Sequence, residues 1–231
     1  MDSVQNRGFG RVRRSKEVEM EELKCLSAEE FAARTATSAP VPGGGSVAAL
    51  AGALAAALSE MVANLTIGKA KYAEVESEMK ELAAAGAVIR QELIEGIKRD
   101  STSFSGYMSA LAMPKETEKE KATRREAMQQ GLKVASEAPL AIAEAAAGIF
   151  PIAEAVVLRG NAGAVSDGLV SAMLARTAVL SALLNVKINL KSIKDETYAA
   201  RTAARVKELE ELAIQSEKHI LAASDLTSQL L

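Results

Sequence analysis

The sequence contains one cysteine, Cys25, and one histidine, His219, in 231 residues. One of each excludes a disulfide framework and a His/Cys zinc site within a single chain, so no metal is expected. The scarcity of thiols fits a reducing, cytoplasmic compartment. Tryptophan is absent and aromatic residues make up only 3% of the chain, so any core is built from small and branched side chains. The sequence has no basic excess, with 28 Lys and Arg against 30 Asp and Glu. Wholesale neutralisation of phosphates is therefore disfavoured, and nucleic acid is not an expected partner. No Gly-x-Ser-x-Gly elbow occurs, and His219 falls in a charged stretch, so nothing suggests a nucleophilic triad. The first residues, "MDSVQNRGFGRVRRSK", lack the apolar core of a secretory signal. Residues 1–21 read as a flexible basic tail, and residues 22–231 as one helical domain with a sizeable core.

What the chain does contain is helix signal throughout, and no convincing strand. Ser27 with Glu30, and Thr117 with Glu120, are capping-box pairs that open helices. From Val75 the apolar residues Met79, Leu82, Ala85, Ile89, Leu93 and Ile97 recur every three or four positions, and the pattern ends near Pro114. Pro139 is expected to kink or break the following helix. Pro151 fits the first turn of another, which stops at Gly160. Two segments are apolar on most faces, "VAALAGALAAALSEMV" and "SDGLVSAMLARTAVLSALLNVKINL", which makes them central. Ala48, Gly52 and Ala56 allow close backbone approach in the first. The expected architecture is all-α, an up-and-down bundle around two Ala/Gly-rich helices. Its alanine-rich faces also suit a homodimer.

Could Val47–Val62 cross a membrane? Its length is near the lower limit, but alanine and glycine dominate it, and Ser59, Glu60 and Asn64 close it. An acidic side chain in such a span costs about 2.5–3.5 kcal/mol. A helix buried in a soluble bundle, with no membrane partner, is the better expectation.

Several positions could carry chemistry. The apolar stripe of the long helix skips one place, and Asp100 stands there. It sits either at an exposed edge or as an acid/base whose charged form is disfavoured by burial. The loop "PVPGGGS" lacks the spacing of a P-loop. It offers three residues without Cβ and free N–H groups at a helix start, a surface for a planar or anionic ligand or simply a tight turn. Lys69 and Lys71 close the same segment as surface residues or as a carboxylate site. In "GNAGAVSD", Asn161, Ser166 and Asp167 are candidates for capping the next helix. Asn185 and Asn189 lie four apart in an apolar helix and are expected to satisfy each other or backbone groups.

Taken in order, "PVPGGGSVAALAGALAAALSEMVANLTIGKAKY", "DSTSF" leading to "AMPKETEKEKATRREAMQ", "GNAGAVSDG" and "NVKINLKSIKD" resemble the formiminotetrahydrofolate cyclodeaminase/methenyltetrahydrofolate cyclohydrolase family. The resemblance runs from about Glu22 to the C-terminus. It implies an all-helical dimer that binds a folate derivative, without a metal. Two activities are implied. One closes 5-formiminotetrahydrofolate to the 5,10-methenyl form with loss of ammonia, and the other hydrates that form to 10-formyltetrahydrofolate. The family's Asp-x-Asp-(x)3-Phe motif keeps its second aspartate here as Asp100, which the resemblance makes the catalytic acid/base; its first position is Lys98. Gly163 stands where relatives usually carry asparagine. The resemblance assigns substrate binding to Gly43, Gly44, Gly45, Ser46 and Asn64, and to Lys69 and Lys71 for a polyglutamate tail. Asn161, Ser166 and Asp167 complete that set. The missing first aspartate leaves a second possibility, a helical scaffold that binds folate without turnover.

Overall fold

The computed structural model describes residues 23–227. The basic tail proposed for residues 1–21 lies outside them. The chain forms α1 (Ala28–Thr35), α2 (Gly44–Thr66), α3 (Glu76–Leu111), α4 (Glu118–Ala147), α5 (Ile149–Arg159), α6 (Val165–Leu190) and α7 (Glu196–Ala222), with no strand among the described residues. Short 3₁₀ turns, among them Ala70–Val75 and Ala162–Ala164, link the helices.

The local signals act as the sequence requires. Ser27 and Glu30 form a full capping box at α1, and Thr117 and Glu120 form one at α4. α3 begins at Glu76 and ends at Leu111, just before Pro114. α5 stops at Gly160. A Cβ there would lie 2.4 Å from the Val156 carbonyl oxygen, so only glycine fits.

Helices α2, α3, α4 and α6 close a four-membered ring, and α5 and α7 pack against α6 from outside. The core is assembled from small residues: Ala48, Ala49, Ala53 and Ala56 of α2 meet Ala172, Ala175, Ala178 and Ala182 of α6, all buried. Gly52 marks a close approach, since a Cβ would stand 3.1 Å from Leu93 Cδ1 and 3.2 Å from Ala178 Cβ. Close backbones let many weak dispersion contacts replace the missing large side chains. Where α2 and α6 touch, Ser171 Oγ donates to the Ala55 carbonyl at 2.7 Å and lies 2.8 Å from Ser59 Oγ.

Pro139 neither breaks nor ends α4, which runs on to Ala147. The proline removes the N–H that would meet the Ala135 carbonyl one turn earlier. Asn189 of α6 supplies the replacement, its Nδ2 donating to Ala135 O at 2.8 Å. Asn185 Nδ2 likewise bonds the Ser181 carbonyl at 2.9 Å. Both asparagines therefore satisfy backbone groups rather than each other.

Gly44–Thr66, Glu118–Arg159 and Ala162–Leu190 are long and apolar enough to cross a membrane by length and composition. Between 50% and 56% of their most apolar windows is buried inside the bundle. Part of the remainder is exposed. Val47, Leu54, Met61 and Leu65 on α2 recur at helical spacing, as do Val170, Leu184 and Ile188 on α6, each at least 38% exposed.

Candidate active site

The α2 N-terminus, the second half of α3 and the C-terminal end of α6 converge on a cavity of about 220 Å³. Its walls include the glycines of the PVPGGG loop, Asp100, Phe104, Asn185 and Asn189. Gly43 caps α2 without a side-chain hydrogen bond, and the Val41–Pro42 peptide before it is cis. The first N–H groups of a helix have no intrahelical partner. Here those of the glycine turn border the cavity, where a polar or anionic ligand edge can take them.

Asp100 lies against this turn. Ser46 Oγ donates to Asp100 Oδ2 at 2.8 Å, and the Ser46 backbone N–H favours the charged carboxylate. A Cβ on Gly45 would sit 2.1 Å from Asp100 Oδ1, so the carboxylate occupies the space that only glycine leaves. Burial raises the Asp100 carboxyl above the ordinary aspartate range, against the opposing pull of the Ser46 hydroxyl and backbone N–H. A carboxyl so placed can give and accept a proton. Of the two placements expected for Asp100, the exposed edge does not hold: the side chain turns inward to the cavity and Ser46.

The remaining candidates gather at the opposite end of α2. That helix spans 23 residues, so its ends are about 33 Å apart. There the motifs "NLTIGKAKY" and "GNAGAVSD", nearly a hundred residues apart in sequence, come together. Asn161 N–H donates to Thr66 Oγ1 at 2.8 Å and Asn161 Nδ2 to the Leu65 carbonyl at 3.2 Å. Ala162 N–H donates to the Tyr72 hydroxyl at 3.0 Å. Of the three capping candidates, Asn161 caps, its Oδ1 accepting from Gly163 N–H at 3.1 Å. Ser166 and Asp167 lie in the first turn of α6, whose start carries no side-chain cap. Asn64, Lys69 and Lys71 are exposed at this end, with Lys71 Nζ 5.3 Å from the centre of the Tyr72 ring.

The structure therefore splits the predicted site into Gly43, Gly44, Gly45, Ser46 and Asp100 at one end, and Asn64, Lys69, Lys71, Asn161, Ser166 and Asp167 at the other. It adds Phe104, Asn185 and Asn189 to the Asp100 cavity. The sequence signal for the asparagines was two amides on an otherwise apolar helix, but their direction depends on how α6 packs.

The profile of the formiminotransferase-cyclodeaminase family matches residues 27–208. The methenyltetrahydrofolate cyclohydrolase of Methylorubrum extorquens is 40% identical over 188 residues, 81% of this chain and 89% of that protein. The formimidoyltransferase-cyclodeaminase of Gallus gallus is 39% identical over 181 residues, and the match spans only 34% of its length. The crystal structure of formiminotetrahydrofolate cyclodeaminase from Thermotoga maritima superposes with a TM-score of 0.78 at 32% identity, covering 87% of this chain and 97% of that one. The order of the helices, the glycine turn over Asp100 and these matches agree: the chain belongs to the formiminotransferase-cyclodeaminase family.

Proposed function

We propose that the protein is a folate one-carbon enzyme acting on the carbon between N5 and N10 of a tetrahydrofolate derivative, with Asp100 as its acid/base. The observation that carries this reading is the partly buried Asp100 carboxyl beside the open glycine turn, at the motif aspartate. The reaction is the closure of 5-formiminotetrahydrofolate to 5,10-methenyltetrahydrofolate. The N10 nitrogen attacks the carbon of the protonated formimino group, the Asp100 carboxylate takes the N10 proton, and the resulting carboxylic acid returns it to the amino group, which leaves as ammonia with the methenyl cation formed. Such transfers contribute about 10²- to 10⁴-fold in rate. The α2 N–H groups hold the polar edge of the pterin, while the fully buried Ser46 positions the Asp100 carboxyl.

A second reading is hydrolysis of the methenyl form to 10-formyltetrahydrofolate. It is supported by the near full-length match to the Methylorubrum protein, which is named for that activity. Both reactions pass through a tetrahedral carbon at the same place, so one acid/base serves either.

The chain also acts as a homodimer in this reading, paired through the apolar stripe of α2 and α6. Lys69, Lys71 and Asn161, about 33 Å from Asp100 along α2, join a substrate at Asp100 only from a second copy. A two-fold pairing of antiparallel α2 helices brings them there. The bundle uses no metal, binds neither membrane nor nucleic acid, and works in the cytoplasm.

The test follows the absorbance of methenyltetrahydrofolate with purified protein. A rise from 5-formiminotetrahydrofolate with ammonia release supports the first reading, and an accelerated loss of methenyl absorbance supports the second. No change from either substrate, with folinic acid unbound in calorimetry, leaves a scaffold and overturns the proposal.

A further inference from the structure

A cavity of about 830 Å³, larger than the one over Asp100, opens on another face of α3. It is a groove between α3 and α4, floored by Gly106, Gly131, Val134 and Ala138 and mostly apolar. Lys98 and Arg99, the two residues directly before Asp100, stand on its rim. Ser103, one helical turn after Asp100, lines both this groove and the Asp100 cavity. Ser103 is thus a wall shared by the two cavities, one turn from the candidate acid/base.

The chemistry of a folate makes that junction informative. The reacting carbon lies between N5, on the pterin, and N10, on the p-aminobenzoyl-glutamate arm. A carboxyl that serves this carbon must have the substrate extending away from it in two directions. The Asp100 cavity, at about 220 Å³, is below the about 300–1,000 Å³ that encloses a drug-sized ligand. It suits the bicyclic ring alone. The neighbouring groove lies within that range, and its apolar floor matches an aromatic ring.

We infer that the α3–α4 groove holds the p-aminobenzoyl-glutamate arm of the substrate, with Lys98 and Arg99 meeting the glutamate carboxylates. This rests on the folate reading above and specifies its tail site. The rim also carries Glu95 and Glu137. Glu95 already accepts a hydrogen bond from Lys24 Nζ at 2.6 Å. Arg99 is held only loosely along its own helix, with Nη2 3.1 Å from the Glu92 carbonyl and 3.8 Å from Glu92 Oε1. Its fork of donors has room to turn toward a carboxylate. The glycines matter as well: a Cβ on Gly106 would meet nothing within 4 Å, so the floor is open there, and Gly131 packs flat on Tyr107.

Calorimetry with the full chain tests this, using folinic acid in its monoglutamate and triglutamate forms. The expected result is tighter binding of the triglutamate, a gain reduced about 2- to 5-fold by each of Lys98→Ala and Arg99→Ala, as for partly exposed ion pairs. The gain also fades as salt is raised. Val134→Glu, at a position 40% exposed and so tolerant of a charge, weakens both forms. If the wild type binds folinic acid but none of the three groove variants alters binding, the arm lies elsewhere and the inference falls while the folate reading stands. The inference falls in the same way if only Lys69→Ala and Lys71→Ala reduce the gain. A wild type that binds no folinic acid overturns both.

Discussion

Asp100 and Gly45 occupy one space: the carboxylate oxygen Oδ1 stands 2.1 Å from where a Cβ on Gly45 would be. The glycine turn thus serves as the seat of the carboxyl. Gly45→Ala must push Asp100 out of its place, because the obstructing atoms belong to a short side chain on a fixed helix. The expected result is a fall in kcat of about 10²-fold or more, within the range of lost acid/base catalysis, with helical content by circular dichroism kept. Wild-type turnover in Gly45→Ala counts against a fixed Asp100.

Asp100→Asn keeps the shape and the hydrogen bond from Ser46 but cannot transfer a proton. Turnover is expected to drop by about 10²- to 10⁴-fold with folinic acid affinity nearly unchanged in calorimetry. Comparable kcat in the variant removes Asp100 from the chemistry.

The same variant has a stability signature. Burial raises the Asp100 carboxyl in the folded chain, so the folded state holds that proton more tightly than the unfolded one. The stabilisation this gives is full below the unfolded pKa of about 3.9 and is lost as pH rises through the raised folded value. Above the raised folded value the wild type carries a partly buried charge that the asparagine lacks. Asp100→Asn is therefore expected to melt higher at pH 7–8, by about 2–4 °C for each kcal/mol relieved, with the gap closing toward about pH 4. A gap that widens in acid contradicts the assignment.

Asn189 and Pro139 form a compensated pair through the Ala135 carbonyl. Asn189→Ala leaves that buried acceptor unsatisfied and is expected to cost about 1–3 kcal/mol. In a Pro139→Ala background the restored N–H satisfies Ala135, so the same change costs clearly less. Equal costs in both backgrounds, measured by urea denaturation, refute the coupling.

Leu54 is 53% exposed in the single chain. If the chain is a monomer, Leu54→Glu is a surface change within about 0.5 kcal/mol of neutral. Pairing through the α2 stripe predicts instead that Leu54→Glu converts a dimer to a monomer in sedimentation, and that activity falls with it.

How much of this was legible in the sequence varies with the range of the interaction. Helix starts at Ser27 and Thr117, the stop at Gly160 and the run of α3 follow from contacts within a few residues of each other, so periodicity and capping chemistry determined them. The close-packed α2–α6 core follows from composition, since only alanine and glycine permit such approach. Asp100 was visible as the one carboxylate on an apolar stripe. Pro139 shows the limit: its local effect is a broken hydrogen bond, and whether the helix survives depends on Asn189, far along the chain on another helix. The predicted site shows it again. The motifs at the two ends of α2 are adjacent in sequence logic, but a rigid helix of 23 residues holds them about 33 Å apart. The tertiary packing alone set the Asp100 carboxyl over Gly45, turned Asn185 and Asn189 toward the same cavity, and opened the α3–α4 groove beside it. Those placements depend on how helices cross, which no local pattern encodes.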